Sequence, residues 1–177
     1  MASKAQDAIA LLKADHRKVE DLFAKFEKAR SSAQKAEICE QICMELIIHT
    51  MIEEEIFYPA LQGKVEEDTM DEAYVEHDGA KVLIAELMDG SPEDQFFDAK
   101  VTVLAEEIKH HVREEEAPAR GMFAQARACK VDLTRLGAQL QQRKEELMRE
   151  FSRNGLPLPM TRAMNGARLE HGQPIRM

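Results

Sequence analysis

Apolar residues recur every three or four positions along most of this chain, which is the spacing of one face of an α-helix. Four such stripes follow one another, and no stretch alternates convincingly in the manner of a half-buried strand. The stripes cover residues 9–23, 38–56, 70–88 and 101–115. Amphipathic helices joined by short links are typical of an up-down-up-down four-helix bundle, so the pattern predicts an all-α fold of that architecture.

Turn-forming residues mark the expected helix ends. Thr69 and Glu72 have the spacing of a capping box, which would open the third helix. The fourth helix is expected to start near Glu93. The breaks between helices fall at Ser31, Gly63, Gly90 and Pro118.

A fifth helix is expected from about Asp132 to Arg153, because apolar residues again share one side of it. The residues after it are rich in glycine and proline and predict an irregular segment or an arm. We therefore divide the chain into a metal-binding bundle over 1–130, an accessory C-terminal helix over 131–153 and an irregular or flexible tail over 154–177.

Each bundle stripe contains one histidine. A single histidine on an apolar face is usually a packing residue that is hydrogen-bonded to a backbone carbonyl. Glu53 and Glu115 each follow a stripe histidine by four residues, so carboxylate and imidazole project from the same helix face. Because buried carboxylates are costly unless a cation meets them, the pattern predicts a buried metal site. The four histidines are His16, His49, His77 and His111.

The fourth helix offers two alternative registers, since His110 and Glu114 repeat the spacing of His111 and Glu115. Only one pair can face inward. The stripe through residues 104 and 108 continues to His111 and Glu115, whereas His110 and Glu114 continue the polar side. The periodicity therefore favours His111 and Glu115 and keeps the other pair as the alternative.

Imidazole and carboxylate ligands suit iron, manganese or zinc, and two carboxylates can bridge a pair of cations, so two metals are favoured over one. The formal net charge is -9, from 24 Lys and Arg against 33 Asp and Glu, which argues against binding to nucleic acid or to an anionic membrane. Three cysteines fit neither a disulfide framework nor a CxxC motif. With no signal-like or membrane-spanning stretch, the expectation is a soluble cytoplasmic protein of undefined oligomeric state.

The chain resembles the hemerythrin-like family, also called the HHE cation-binding domain, over roughly residues 7–127. The resemblance implies a four-helix bundle around a non-haem di-iron centre whose two irons share an oxo or hydroxo bridge. The segments that carry it are residues 14–16 (ADH), 49–59 (HTMIEEEIFYP), 76–78 (EHD) and 110–116 (HHVREEE). Carried over residue by residue, the implied ligands are His16, His49, Glu53, His77, His111 and Glu115.

The sequence departs from the oxygen-carrying hemerythrins at Lys81, where the carriers have a further histidine. An ammonium group is not a ligand, so reversible oxygen storage is in doubt. Lys81 is expected to contact the ligands from outside, to hydrogen-bond a bound oxygen species or to reach solvent. Tyr74, one turn before His77, either approaches the cluster or packs beside it.

Three function classes follow from this pattern. One is a di-iron module that binds dioxygen or nitric oxide as a sensor or scavenger. Another is a redox enzyme that reduces oxygen or decomposes peroxide, with weak peroxidase, catalase or oxidase activity, and a third is a protein that stores or handles iron. The prediction is a di-iron protein of oxygen or oxidative-stress chemistry, with dioxygen, peroxide or nitric oxide as its small ligands.

Overall fold

The structure is a computed structural model that describes residues 6–165. Over that range every regular element is helical. A π-helical turn, Glu53–Phe57, joins the second and third helices without a break. The helices are α1 (Ala8–Lys28), α2 (Ser32–Ile52), α3 (Tyr58–Leu61), α4 (Glu67–Met88), α5 (Phe97–Glu116), α6 (Met122–Ala128) and α7 (Leu133–Asn154).

Four long helices form the predicted bundle. Helix α1 packs against α2 and α5, and α4 packs against the same two helices. The core between them is built from residues that the stripes identified, among them Leu12, Ile42, Leu46, Ile84 and Leu104, all at 2% exposure or less. The all-α four-helix bundle expected from the sequence is confirmed.

Helix α7 lies outside the bundle against α1 and α2. Its apolar side buries Leu136, Leu140 and Leu147. At Gly137 the backbone of α7 lies so close to the backbone before α1 that an added Cβ would clash with the carbonyl oxygen of Gln6. Only a glycine allows this contact, which fixes α7 against the start of α1.

Two expected helix starts are wrong. Helix α4 begins at Glu67 with no side-chain cap, so Thr69 and Glu72 lie inside its first turns and form no capping box. Helix α5 begins at Phe97 rather than near Glu93, because the backbone N–H of Ser91 donates to Asp94 Oδ2 at 2.7 Å and holds this stretch in turns. Ser31 and Asp132 do cap α2 and α7.

Two elements were not expected from the sequence. The short helix α6 places Phe123 on the ring of His16, with ring centroids 5.8 Å apart and nearly parallel planes. The π-helical turn makes its backbone bond from the N–H of Tyr58 to the carbonyl of Glu53, which adds one residue to the turn. Glu53, Glu54 and Tyr58 are all buried. In an α-helix, Glu53 and Tyr58 would project from different faces, because they are five positions apart.

Residues 155–165 have no helix, and the remainder of the predicted tail, 166–177, lies outside the described residues. The described part is not detached, because three of its backbone N–H groups bond to α4. None of the helices described is long and apolar enough to cross a membrane.

Candidate metal centre

The four stripe histidines and two spaced glutamates meet in the middle of the bundle. Each is exposed by 5% or less. Helices α1, α2, α4 and α5 contribute one histidine each, the π-helical turn contributes Glu53 and the last turn of α5 contributes Glu115. The fold therefore places the six predicted ligand residues in one buried cluster.

The histidines form two pairs whose Nε2 atoms face each other. Nε2 of His16 lies 3.2 Å from Nε2 of His49, and Nε2 of His77 lies 3.2 Å from Nε2 of His111. Because metal–nitrogen bonds are about 2.1 Å long, two nitrogens at this separation can bind one ion as neighbouring ligands.

The two carboxylates lie between the imidazole pairs. Oε2 of Glu53 is 3.2 Å from Nε2 of His49 and 3.3 Å from Nε2 of His77, one histidine of each pair. Oε2 of Glu115 lies 3.4 and 3.6 Å from the Nε2 atoms of the other two histidines. Each glutamate thus contacts one histidine of each pair.

The outward nitrogen of every histidine faces a further carboxylate. A carboxylate only accepts, so an Nδ1 in hydrogen-bond contact with it carries a hydrogen, which leaves Nε2 to a cation or a second proton. His49 makes the longest of these contacts, beyond hydrogen-bond distance. The four contacts are His16–Glu116 at 2.9 Å, His77–Glu54 at 2.9 Å, His111–Glu76 at 2.8 Å and His49–Asp15 at 3.8 Å.

The electrostatics of the cluster attract positive charge. Burial alone would lower the pKa of His49, but Glu53 and Asp15 outweigh it and raise the pKa to about 10. For Glu53 the effect of burial has the opposite sign and raises the pKa. His49 and His77 outweigh burial and hold the pKa of Glu53 well below its ordinary value. Oε1 of Glu53 and Oε2 of Glu115 are buried with no hydrogen-bond partner. Buried, unpaired carboxylate oxygens beside imidazole nitrogens are the donors that a cation satisfies, so the residues fit a metal.

Tyr58 belongs to this cluster, and sequence reasoning missed it. Its side chain is completely buried, and its hydroxyl lies 3.1 Å from Oε1 of Glu115, 3.3 Å from Oε2 of Glu53 and 3.2 Å from Nε2 of His77. Burial and the two carboxylates raise the pKa of the phenol well above its usual range. The five-residue step from Glu53 to Tyr58 does not fit the α-helical period, so only the π-helical turn could have indicated the contact.

The alternative pair in the fourth helix points away from the cluster. The side chain of His110 is 51% exposed and its Nε2 lies 3.2 Å from Oε1 of Glu76. Glu114 is exposed as well. The structure thus buries the favoured pair, His111 and Glu115, and leaves the alternative pair at the surface.

Lys81 is buried, at 4% exposure, which excludes the alternative that it reaches solvent. Its Nζ donates to Oε1 of Glu54 at 2.6 Å and to Oδ1 of Asp78 at 3.1 Å. Tyr74 does not reach the donor atoms either: its ring packs edge-on against Tyr58, and its hydroxyl accepts from Arg162. Lys81 and Tyr74 therefore contact residues of the cluster from outside.

Two cavities border the cluster. One, of about 200 Å³, ends at His111 and Glu115 and has acidic walls that include Glu72, Glu76 and Glu114. The other, of about 570 Å³, ends at Tyr58. Residues of the cluster thus line part of both cavities.

Comparison with known proteins agrees with this geometry. The model of the family described as the hemerythrin HHE cation binding domain matches residues 7–125. A solved structure of a hemerythrin HHE cation binding domain-containing protein from Mycobacterium kansasii superposes with a TM-score of 0.70 at 20% identity, over 85% of this chain and 95% of that one. At this identity the likeness shows the fold alone.

A curated relative from Nostoc sp. strain PCC 7120, named DNA nickase, is 32% identical over 112 residues. The match covers 63% of this chain and 31% of the relative, so it spans about a third of that protein's length.

Proposed function

This chain belongs to the hemerythrin HHE cation-binding family, and we propose that its centre holds two iron ions that bind or activate dioxygen, peroxide or nitric oxide. The observation that carries the proposal is the arrangement of two facing imidazole pairs, each with Nε2 atoms 3.2 Å apart, around two shared carboxylates. We infer a role in oxidative-stress defence or gas sensing.

The donor geometry supports two cations rather than one. One group of donor atoms within 4.8 Å of one another comes from His16, His49, Glu53 and Glu115, and another comes from Glu53, His77 and His111. The groups share Glu53, as expected for a bridging carboxylate. Four neutral imidazoles add no charge, so the two buried carboxylates partly balance the positive charge of two divalent ions.

The donor types favour iron. Imidazole and carboxylate are common to iron, manganese and zinc sites, but a phenol oxygen among them also suits ferric iron, which tyrosine ligates in some haem proteins. We propose that Tyr58 completes the donor set near His77. Its oxygen stands among the ligands, whereas the Lys81 ammonium is tied to Glu54 and Asp78.

Bound iron would supply the one-electron steps of oxygen chemistry, and the chain would supply orientation, exclusion of water and a proton. Outer carboxylates hold three of the four imidazoles with Nε2 inward, and burial keeps bulk water out. The Tyr58 hydroxyl can donate its hydrogen at the cluster, or it can release its proton to a neighbouring carboxylate such as Glu115 if its oxygen binds a cation. Lys81 stands where the carriers have a further histidine, and its ammonium is tied to Glu54 and Asp78, so turnover is favoured over reversible oxygen carriage.

The experiment that tests the proposal is anaerobic loading of the metal-free protein with ferrous iron, followed by metal analysis and stopped-flow spectra with oxygen, peroxide and nitric oxide. We expect two irons per chain and rapid spectral changes with at least one of these ligands. One zinc per chain with no uptake of iron would contradict the proposal. Repeated binding and release of oxygen without oxidation would contradict the preference for turnover.

An iron-handling or storage role is the second candidate, and the acidic cavity that ends at His111 and Glu115 favours it. Cations would collect there before they reach the ligands. Rapid release of loaded iron to a ferrous chelator, with no reaction toward oxygen or peroxide, would favour this alternative. The nickase activity that the relative's name states finds no electrostatic support here, since this chain carries a net charge of -9.

A further inference from the structure

We propose that residues 155–165 form a strap whose docking is coupled to cation binding on the His77–His111 side of the centre. The inference rests on the proposed metal centre and adds a regulatory contact to it. Docking of the strap and binding of the second cation would stabilise each other.

The strap is held by one buried carboxylate. The backbone N–H groups of Arg162, Ala163 and Met164 all donate to Oδ2 of Asp78, at 2.8, 2.5 and 2.8 Å. Asp78 has no exposed surface. Three successive N–H groups around one oxygen form an anion-binding nest, so the strap satisfies Oδ2 of a buried carboxylate whose other oxygen is paired with Lys81.

A second contact joins the strap to the aromatic residues beside the centre. The guanidinium of Arg162 lies over the ring of Tyr74, 5.2 Å from its centroid, and Nη1 donates to the Tyr74 hydroxyl at 3.1 Å. Tyr74 in turn packs edge-on against Tyr58, with centroids 5.2 Å apart. The strap therefore also supports the residue whose phenol stands among the metal ligands.

Three buried side chains connect the strap to His77. Oδ1 of Asp78 accepts from Nζ of Lys81 at 3.1 Å, and the same Nζ donates to Oε1 of Glu54 at 2.6 Å. Oε1 of Glu54 accepts from Nδ1 of His77 at 2.9 Å. The opposite nitrogen of His77 faces the cluster, so the chain of bonds runs from the strap backbone to a metal-facing atom.

The coupling follows from how Lys81 is shared between two carboxylates. Without the strap, Oδ2 of Asp78 loses its three donors, and Asp78 competes more strongly with Glu54 for the single ammonium. Glu54 then holds the His77 ring less firmly, and loss of such an outer contact commonly weakens metal binding 10–100-fold. By reciprocity, a cation on His77 should favour the docked strap.

The other side of the centre provides an internal reference. The carboxylate that faces Nδ1 of His16 belongs to Glu116 and is held by Lys13 and Arg17 of α1. No strap residue takes part in that set of contacts. Cation binding by His16 and His49 should thus respond little to the strap.

The first test compares the full chain with two shortened chains, one that ends at Asn154 and lacks the strap and one that ends at Asn165 and keeps it. Metal-free protein is titrated with cobalt(II) under anaerobic conditions, and circular dichroism checks the helices. We expect the chain that ends at Asn154 to bind its second cobalt about tenfold more weakly than the chain that ends at Asn165, with similar affinity for the first. Equal second affinities in the two shortened chains would overturn the coupling.

The second test needs no variant. Hydrogen exchange of the amides of residues 162–164 is measured in the full chain, without metal and with two cobalt ions bound. We expect exchange to be about tenfold slower in the loaded protein, by the same coupling. Unchanged exchange would overturn the inference even if the shortest chain fails to fold. A full chain that cannot bind two cobalt ions would instead contradict the proposed centre, and the coupling with it.

Discussion

The phenol oxygen of Tyr58 lies 3.1 Å from Oε1 of Glu115, at the centre of the donor cluster, although the two residues are 57 positions apart in the chain. The contact depends on the π-helical turn that starts at Glu53. The contact adds a phenol oxygen to the imidazole nitrogens and carboxylate oxygens at the place where a cation is expected.

Tyr58→Phe tests this role, because it removes one oxygen and keeps the ring that packs on His77. If the phenolate binds ferric iron, the oxidised protein should show a visible charge-transfer band that Tyr58→Phe abolishes while both irons remain. Tyr74→Phe is the matched control, since its hydroxyl contacts Arg162 and should leave the band unchanged. Absorption spectra and metal analysis decide; a wild-type ferric protein with no such band would refute ligation by Tyr58.

The register of α5 is tested by neighbouring histidines. His111→Ala removes a buried imidazole 3.2 Å from Nε2 of His77 and should cost the protein at least one of its two cations. His110→Ala alters a side chain that is 51% exposed and should keep most of the metal. Metal content after identical loading measures the difference, and the reverse ranking would show that the ligand assignment is wrong.

The helical period of the apolar residues was enough to predict which face of each bundle helix is buried. It indicated the faces that bear His16, His49, His77 and His111 because each lies on an apolar stripe with a 3.6-residue period. The same argument separated His111 from its neighbour, since one position along a helix turns the side chain by about 100°.

The parts that were missed depend on contacts without a period. Tyr58 reaches the cluster because the π-helical turn contains one residue more than an α-helical turn. The apolar pattern of the sequence does not indicate where such a turn occurs. The sequence left three alternatives open for Lys81, because its burial depends on the two carboxylates, Glu54 and Asp78, that share its ammonium. The strap binds Asp78 through its backbone, so its side chains gave no indication of the contact.

Lys81→Met should destabilise the protein. It would leave the Glu54 and Asp78 carboxylates buried without their shared cation, and loss of one partner of a buried ion pair typically costs about 3–5 kcal/mol. Lys100→Met is the control, because its ion pair with Glu86 lies at the surface and should change stability little. Urea unfolding of both metal-free variants measures the contrast; equal midpoints would show that the buried pairing contributes little.

Cation affinity should rise with pH. Burial lowers the pKa of His49, but Glu53 and Asp15 raise it to about 10, and Glu53 and Glu54 raise that of His77 against the same effect of burial. A cation binds only an imidazole whose Nε2 is deprotonated, so each displaced proton should add about tenfold in affinity per pH unit below the pKa. Cobalt(II) titrations at several pH values measure the slope; an affinity independent of pH would show that the metal-free imidazoles hold no such proton.

The metal-free protein should show the opposite trend in stability. The pKa of His49 is about 10 in the folded state and about 6.5 when unfolded, so the folded state binds this proton more tightly. The stabilisation is therefore complete below about pH 6.5 and is lost as pH rises toward about 10. Because a bound cation replaces the proton, the loaded protein should lose much less stability over that window. Melting temperatures with and without cobalt(II) test this directly, and parallel pH profiles for the two forms would contradict the exchange of a proton for a cation at His49.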